Sequence, residues 1–287
     1  MKKEVNHEDV GRLREWLLMQ PHYPKFVDDE ILAAFAHSSK SLEIAKHKLE
    51  TFFTWRAHLR NSMAFFNIKD PSDSYFKECS KCGQLYFLPQ TTPEGYRVLL
   101  NSITDQFQTY FDQDQTIAAF HMSLELSLAR WPDMKGLFLV WDLKGFTASN
   151  AAKLSFPTLE TTIRYFQDCY PAKIKGVVFI NSPPVVEMIY NNGIKPFLKD
   201  KLKTRITITG KDSTCLKKYL PEEILPLDYG GKEKHSSELY ADWMNLLEEK
   251  KDWLKRNLLL VADETKRPPN SKQMFGVEGT FRTLDID

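Results

Sequence analysis

The sequence lacks several features that would place a protein in a broad class at once. No apolar run approaches the 18 residues of a membrane-spanning helix, and the first residues contain no apolar core of the signal-peptide type. The 39 basic and 38 acidic residues nearly cancel, which excludes a protein-wide electrostatic field for nucleic acid or membranes. Four cysteines are too few for a disulfide scaffold of 287 residues, so we expect a cytoplasmic protein in a reducing environment.

Motifs for common catalytic machinery are also missing. The chain has no GxGxxG, Walker loop, GxSxG or HExxH, and none of its seven histidines falls at a predicted strand end in the α/β half. Asp142, directly after a predicted strand, is the best single acid. A lone carboxylate there is more often a hydrogen-bond acceptor for the following turn. We therefore predict that the protein is not an enzyme.

The pair Cys79-Ser-Lys-Cys82 has the spacing of half a zinc site or of a redox motif. No second CxxC and no histidine pair follow at zinc spacing, and no βαβ pattern places the pair in a thioredoxin-like context. We interpret both cysteines as structural and predict neither a metal nor a cofactor.

The residues that are present indicate an ordinary globular chain with a generous aromatic content. Apolar residues make up 42% and charged residues 27%, while 13% are aromatic, which suits a wide apolar interior. The length is sufficient for one large domain or for one domain with a smaller companion.

The apolar pattern changes along the chain. The first part has a helical period, clearest over residues 41–56, and residues 116–131 form a helix that is apolar on more than one side. From Gly136 onward, solid apolar strands alternate with helices, which is typical of a mostly parallel sheet covered by helices. We predict an α/β (mixed α+β) chain with a helical domain over 1–92, a ligand-binding domain over 93–232, and a C-terminal helix with an extended tail over 233–287.

One stretch, from Cys169 to Gly210, combines three features. A buried strand over 177–180 is followed by Pro183-Pro184 and a segment rich in apolar residues, and seven cations against two acids occur between Lys173 and Arg205. We interpret this stretch as a pocket for a hydrophobic ligand, closed by an apolar lid, with a basic rim for a membrane or a phosphorylated headgroup. A merely solvated charged face is the alternative for the cations.

The order of short motifs through this half resembles the CRAL-TRIO lipid-binding family, which includes the cellular retinaldehyde-binding and α-tocopherol transfer proteins. The matching segments are Trp141-Asp142-Leu-Lys-Gly145, Gln167-Asp168-x-Tyr170-Pro171, Asn181-x-Pro183, Lys195-Pro196-Phe197-Leu198 and Leu225-Pro226-x-x-Tyr229-Gly230-Gly231. The resemblance covers residues 8–255. The ending of the tail, which includes FGVEG, resembles insect members.

The resemblance implies a helical bundle followed by an α/β domain whose sheet floors an apolar cavity, with a mobile gate at about residues 183–201 and no catalysed reaction. Alternate residues of a strand point to opposite faces. Combined with the resemblance, this predicts pocket walls at Leu137, Leu139, Trp141, Leu154, Tyr165, Phe166, Tyr170, Ile174 and Val177. The predicted gate residues are Val186, Ile189, Ile194, Phe197 and Leu198. For each of these residues ordinary core packing is the alternative.

The resemblance also implies a phosphoinositide site, including phosphatidylinositol bisphosphate as a ligand class. The family's headgroup cations match Lys173, Lys175, Lys201 and Arg205, whereas His37 stands where the family has an arginine in its helical domain. The implied function is transfer of a tocopherol, retinoid, carotenoid or phospholipid between membranes by a protein that is transiently peripheral. A phosphoinositide-sensing scaffold is the alternative. We expect no nucleic-acid partner, and a monomer is the default where the sequence leaves the oligomeric state open.

Overall fold

Amphipathic helices begin the chain, as their apolar period predicts. The protein is described by a computed structural model covering residues 7–210 and 213–268. The first helices are α1 (His7–Met19), α2 (Asp29–Ser38) and α3 (Leu42–Ser62). Ser41 caps α3, because its hydroxyl accepts a hydrogen bond from the backbone N–H of Ile44 at 3.3 Å. Two short helices, α4 (Ala64–Asn67) and α5 (Ser74–Cys79), complete the first part of the chain.

The second part alternates strands and helices, as predicted. Its elements in chain order are β1 (Gly83–Phe87), β2 (Arg97–Ile103), α6 (Phe107–Tyr110), α7 (Gln113–Arg130), β3 (Leu137–Asp142), α8 (Ala148–Ala151), α9 (Phe156–Cys169), β4 (Ile174–Ile180), α10 (Pro184–Ile189), α11 (Asp200–Lys203) and β5 (Ile206–Ile208). Two helices follow, α12 (Ser236–Glu249) and α13 (Lys251–Asn257).

Two predicted helices differ in the structure. The apolar period over 239–254 predicts one helix, but the helix is interrupted at Lys250, whose backbone (φ −96°, ψ 10°) separates α12 from α13. The alternation of strands and helices also predicts a short helix over 211–219, and the structure has a 3-10 helix over Ser213–Lys218 there. The extended tail and its resemblance to insect members concern residues 269–287, which lie outside the described part of the chain.

The five strands form one sheet in the order β1-β2-β3-β4-β5. β1 and β2 pair as an antiparallel hairpin, and every later neighbour is parallel. This confirms the predicted α/β class with a mostly parallel sheet.

A bulge between β3 and β4 decides which side chains share a face. Leu137 pairs with Ile174, but Phe138 pairs with Gly176, so one extra residue is inserted in β4. Ile174 and Val177 consequently point to the same side of the sheet, although they are three positions apart. Gly176 leaves room for the Phe138 ring, because a Cβ atom there would lie 2.4 Å from the ring in its present position.

Two apolar cores lie on either side of α7 and α9. One core surrounds the sheet and includes the α7 residues Phe120 and Leu124, whereas the other fills the helical part and includes Ile117 from α7 and Tyr165 from α9. Residues 117–128 of α7 are buried almost without interruption. The two-sided apolar pattern of this segment is thus explained by burial on both flanks.

A buried ion cluster connects α3, α7 and the C-terminal segment. Glu125 Oε1 accepts hydrogen bonds from Arg56 and from Lys69, each at 2.7 Å, and the other guanidinium nitrogens of Arg56 bond the carbonyls of Leu260 and Asn257. Burial would raise the pKa of Glu125, but the charges of Lys69 and Arg56 outweigh it and hold the pKa at about 2. No sequence pattern indicated this cluster.

His121, on the same helix, is buried beside the ion cluster and against Tyr165. Burial, assisted by the positive charge of Lys69, lowers its pKa to about 3. The folded-state pKa of His121 lies below the unfolded value of 6.5. As pH falls below 6.5, His121 therefore becomes protonated in the unfolded chain but stays neutral in the folded chain. We therefore expect stability to decline by up to about 1.4 kcal/mol per pH unit from this group between pH 6.5 and 3.

His121→Phe removes this titration and should flatten the dependence of unfolding free energy on pH. Urea denaturation between pH 7 and 5 measures the slope, in a range where Glu125 remains ionised. His47→Gln, at an exposed histidine of α3, is the matched control. A His121→Phe slope equal to that of the unaltered protein would contradict the assignment.

Candidate functional site

An apolar cavity of about 300 Å³ lies between the sheet and the helices of the second part. Its floor consists of alternate side chains from β2, β3, β4 and β5, as the two-residue period of a strand requires. The floor residues are Ile103, Leu139, Trp141, Ile174, Val177, Phe179, Ile206 and Ile208, with Asn101 as the polar exception. Trp141 and Phe179 stack in neighbouring strands, with ring centroids 6.3 Å apart.

The walls come from helices on the same side of the sheet. α7 supplies Ile117 and Phe120, and α9 supplies Leu159, Ile163 and Phe166. None of the described residues that line the cavity is Asp, Glu, Lys, Arg or His. The cavity therefore suits an uncharged, mainly apolar occupant.

Most of the side chains predicted for the pocket line this cavity. From the predicted walls these are Leu139, Trp141, Leu154, Phe166, Ile174 and Val177. From the predicted gate they are Val186, Ile189, Ile194 and Leu198.

Three predicted wall residues lie elsewhere. Leu137 is fully buried at the first position of β3, within the sheet core. Tyr165 points from α9 into the helical core, where it stacks on His121 at 5.2 Å. The hydroxyl of Tyr170 bonds Ser127 at 2.7 Å on α7. Helix α9 is apolar on two faces, and the sequence alone does not say which face meets the cavity.

One predicted gate residue also falls outside the lining. Phe197 is half-buried, and its ring lies 5.5 Å from the guanidinium carbon of Arg164 on the outer side of α9. The 3-10 turn that contains Phe197 directs this ring away from the cavity, whereas Leu198, the next residue, lines the cavity.

Sequence reasoning missed several lining residues. Phe107, Phe111 and Phe146 lie in short helices or turns, where no period indicates a buried face. Ile206 and Ile208 of β5 carried a usable signal, since they alternate with Thr207 in a predicted strand.

The predicted gate is a chain of short helical segments across the cavity. α10 leads into a π-helical turn over Tyr190–Ile194 and a 3-10 turn over Lys195–Phe197. From residue 184 to 196, no side chain forms a hydrogen bond or an ion pair within the described part of the protein. Met188 is 57% exposed on the outer surface of α10. The middle of the gate is thus held by apolar contacts alone.

Polar contacts fix the C-terminal end of the gate to α9. The side-chain amide of Gln167 donates to the carbonyl of Phe197 at 3.0 Å and accepts from the N–H of Lys199 at 2.8 Å. The Lys199 ammonium also pairs with Asp168 at 2.8 Å.

A hydrogen-bond cluster around Asp142 fixes the other end. One carboxylate oxygen of Asp142 accepts from the N–H of Lys144 at 3.0 Å and from the amide of Asn181 at 2.8 Å, and the other accepts from the Tyr229 hydroxyl at 2.8 Å. Asn181 adopts a left-handed backbone conformation (φ 54°), which Asn tolerates better than most residues. The turn after Tyr229 brings the backbone of Gly231 against that of Leu225. A side chain does not fit there, because a Cβ atom at Gly231 would lie 2.0 Å from the Leu225 carbonyl oxygen. Asp142 has the structural role expected from the sequence.

The predicted rim cations lie where β4 and β5 begin. Lys173 is exposed just before β4, Lys201 is exposed on α11, and the Arg205 guanidinium donates to the Ile174 carbonyl beside the start of β5. The Lys175 ammonium lies 5.0 Å from the centre of the Tyr96 ring. Within the described residues, none of these four cations forms an ion pair with an acid.

A fifth cation joins this rim from the helical part of the chain. Burial lowers the pKa of Lys48 on α3, and the nearby positive charge of Lys173 lowers it further. The Lys48 ammonium lies 3.5 Å from the carbonyl of Ser38, the residue that follows His37. Lys48 thus places a cation close to Ser38, next to His37, the position at which the resemblance implies an arginine.

The cysteines of the CxxC pair are free and buried. Burial raises the pKa of both thiols, that of Cys82 to about 11. Both line a separate small cavity of about 40 Å³ beside β1 and α7. The described residues contain no cluster of His, Cys, Asp and Glu that fits a metal ion, and none of their helices is long and apolar enough to cross a bilayer.

The geometry defines a class of protein, an α/β domain with a gated apolar cavity joined to a helical domain. Residues 81–231 match the CRAL/TRIO domain profile, and residues 2–76 match a profile described as Pinta-like, UBA domain. The chain belongs to the CRAL-TRIO family.

Relatives with established names cover most of the chain. The human "Alpha-tocopherol transfer protein-like" is 30% identical over 235 residues, which are 80% of this chain and 66% of that protein, just under two thirds. Human "Clavesin-2" is 27% identical over 78% of this chain and 68% of its own length. The crystal structure of Sfh5 aligns with a TM-score of 0.48 and 15% identity, over 88% of this chain and 99% of that one.

Asp142→Ala should destabilise the protein by about 2–3 kcal/mol, because it leaves the Asn181 amide and the Tyr229 hydroxyl without an acceptor. Chemical denaturation measures the change. Asp242→Ala, which removes an exposed ion pair with Lys234, is the control and should change stability far less. Equal losses of stability in the two variants would contradict the stabilising role of the Asp142 hydrogen bonds.

Proposed function

We propose that this protein binds a hydrophobic small molecule and transfers it between membranes, docking on phosphoinositide-containing bilayers through its basic rim. The observation that carries the proposal is the 300 Å³ cavity, whose lining contains no Asp, Glu, Lys, Arg or His among the described residues. Burial of apolar ligand surface contributes about 25 cal/mol per Å². A cavity with this lining therefore retains a lipid strongly in water.

Release requires a second apolar environment beside an open gate. Met188 on α10 and Phe156 at the start of α9 are 57% and 41% exposed. The Phe156 ring packs against the gate, since a Cβ atom at Gly193 would lie 2.3 Å from it. A bilayer solvates such side chains better than water does, so membrane contact favours the open state through differential affinity.

The rim supplies the electrostatic part of docking. Lys173, Lys175, Lys201 and Arg205 lie near the starts of β4 and β5, Lys48 lies close to Lys173, and none of the five has a described acidic partner. A basic residue near an anionic membrane surface contributes about 1 kcal/mol. Phosphoinositide headgroups, which carry several charges, fit this cluster better than a singly charged lipid does.

Two further observations support transfer without catalysis. The printed name of the human relative describes a transfer protein. In addition, the described lining of the cavity contains no carboxylate, histidine, lysine or cysteine that could act as a charged catalytic group, and Tyr190 is its one phenol.

The alternative is a phosphoinositide-sensing scaffold that uses the same fold without carrying a ligand. Such a protein has no need for empty space beneath the gate, and bulky side chains would be expected to fill it. The open cavity therefore favours the carrier.

Purified protein expressed in eukaryotic cells should contain a stoichiometric hydrophobic molecule. Organic extraction followed by mass spectrometry identifies the molecule, with a protein of similar size and no cavity as the control. Protein that is empty after expression, and that takes up no member of a lipid library, would refute the carrier function.

Charge reversal at the rim, in the double variant Lys201→Glu and Arg205→Glu, should weaken binding to phosphoinositide vesicles by about tenfold or more. Ligand uptake should be unchanged, because neither residue lines the cavity. The double variant Lys232→Glu and Lys250→Glu carries the same change of net charge elsewhere. Vesicle sedimentation compares the two double variants. Equal vesicle binding by both would show that the rim is only a solvated charged surface.

A further inference from the structure

The polar side chains of the cavity lining are few, and most are satisfied by the protein itself. Their hydroxyl or amide groups bond backbone groups at donor–acceptor distances between 2.5 and 3.1 Å. These residues are Gln113, Thr116, Thr162 and Gln167. Tyr190 is half-buried in the gate.

Asn101 is the exception in the floor of the cavity. It is only 8% exposed, and its side chain forms no hydrogen bond with any described residue. Pairing between strands places it in a row with Leu85, Trp141, Phe179 and Ile208. An amide in a row that is otherwise apolar, with its hydrogen-bonding capacity unused, is costly unless something binds it.

A second cavity meets the first at this residue. The small cavity of about 40 Å³ shares Asn101 and Thr116 with the large one, and it is also lined by Gln115, whose buried side-chain oxygen lacks a partner. Its volume suits a small polar group or a water molecule. The unpartnered polar groups of Asn101 and Gln115 therefore line the small cavity where it meets the large one, and the hydroxyl of Tyr190 in the gate is the other lining group without a described hydrogen bond.

We propose that Asn101 binds the single polar group of a neutral lipid, a hydroxyl or a carbonyl, whose apolar body fills the large cavity. This proposal rests on the carrier function proposed above and specifies its ligand class. A side-chain amide donates to a carbonyl and accepts from a hydroxyl, so it recognises either group. A charged or zwitterionic headgroup is disfavoured inside the cavity, because no described lining residue can neutralise it.

Two probes that differ in one hydroxyl test the assignment. All-trans-retinol and deoxyretinol, the hydrocarbon without the hydroxyl, are titrated into the full-length protein, and quenching of tryptophan emission reports binding because Trp141 lines the cavity. Asn101→Leu should weaken retinol binding about tenfold, the loss of one neutral hydrogen bond, and leave deoxyretinol binding unchanged or tighter. An equal loss for both probes, or no loss for either, would overturn the role of Asn101.

A measurement on the unaltered protein covers the case in which the variant does not fold. The carbonyl stretch of bound all-trans-retinal should shift to lower frequency than in hexane, since a hydrogen bond weakens the C=O bond. An unshifted band, or uptake of phosphatidylcholine from vesicles as strong as that of retinol, would overturn the proposed ligand class. If the unaltered protein takes up the probes but Asn101→Leu does not discriminate them, the carrier function survives. If it takes up no lipid at all, both proposals fail.

Discussion

Helix α9 is the element on which the cavity, the gate and the helical domain all depend. Its residues Ile163 and Phe166 face the cavity, Tyr165 faces the helical core, and Gln167 with Asp168 holds the end of the gate. Three sides of one helix thus contact three parts of the molecule. A displacement of α9 changes the cavity wall and the gate contacts together, because both are attached to the same rigid rod.

A buried ion cluster connects the helical part of the chain to helix α7 and to the C-terminal segment. The Arg56–Glu125–Lys69 cluster is desolvated and bonds carbonyls of the C-terminal segment. A buried ion group of this kind contributes little net stability compared with apolar packing, but removal of one member leaves a buried charge without a partner. It fixes the geometry between helical part and sheet, which in turn keeps Lys48 beside Lys173 at the rim.

The sequence was informative where a period or a motif extends over many residues. The parallel strands, the long helices and the apolar gate segment follow from such patterns. The family motifs include both Asp142 and Asn181, which the structure joins by a hydrogen bond. Helix α9 is apolar on two sides, and the sequence does not tell which side faces the cavity. Tyr165 was therefore predicted as a cavity wall although it lies in the helical core. The contacts of Lys48 and of Glu125 could not be predicted from the sequence either, because charges brought together from distant parts of the chain leave no local pattern.

The floor of the cavity illustrates the same limit at the level of a single residue. Asn101 lies within the apolar strand β2, and in the sequence alone it is one polar residue after an apolar run. Only strand pairing reveals that its neighbours across the sheet are all apolar and that two cavities meet at its side chain.

The gate has polar attachments at its two ends and apolar contacts between them. Its middle can therefore move without breaking any described side-chain hydrogen bond or ion pair. Under the proposed carrier function, the free energy of that motion comes from the contact of apolar surface with the surrounding medium. In thermodynamic terms the bilayer would then be an effector that binds the open form, and cargo inside the cavity would compete with it for the same apolar surface.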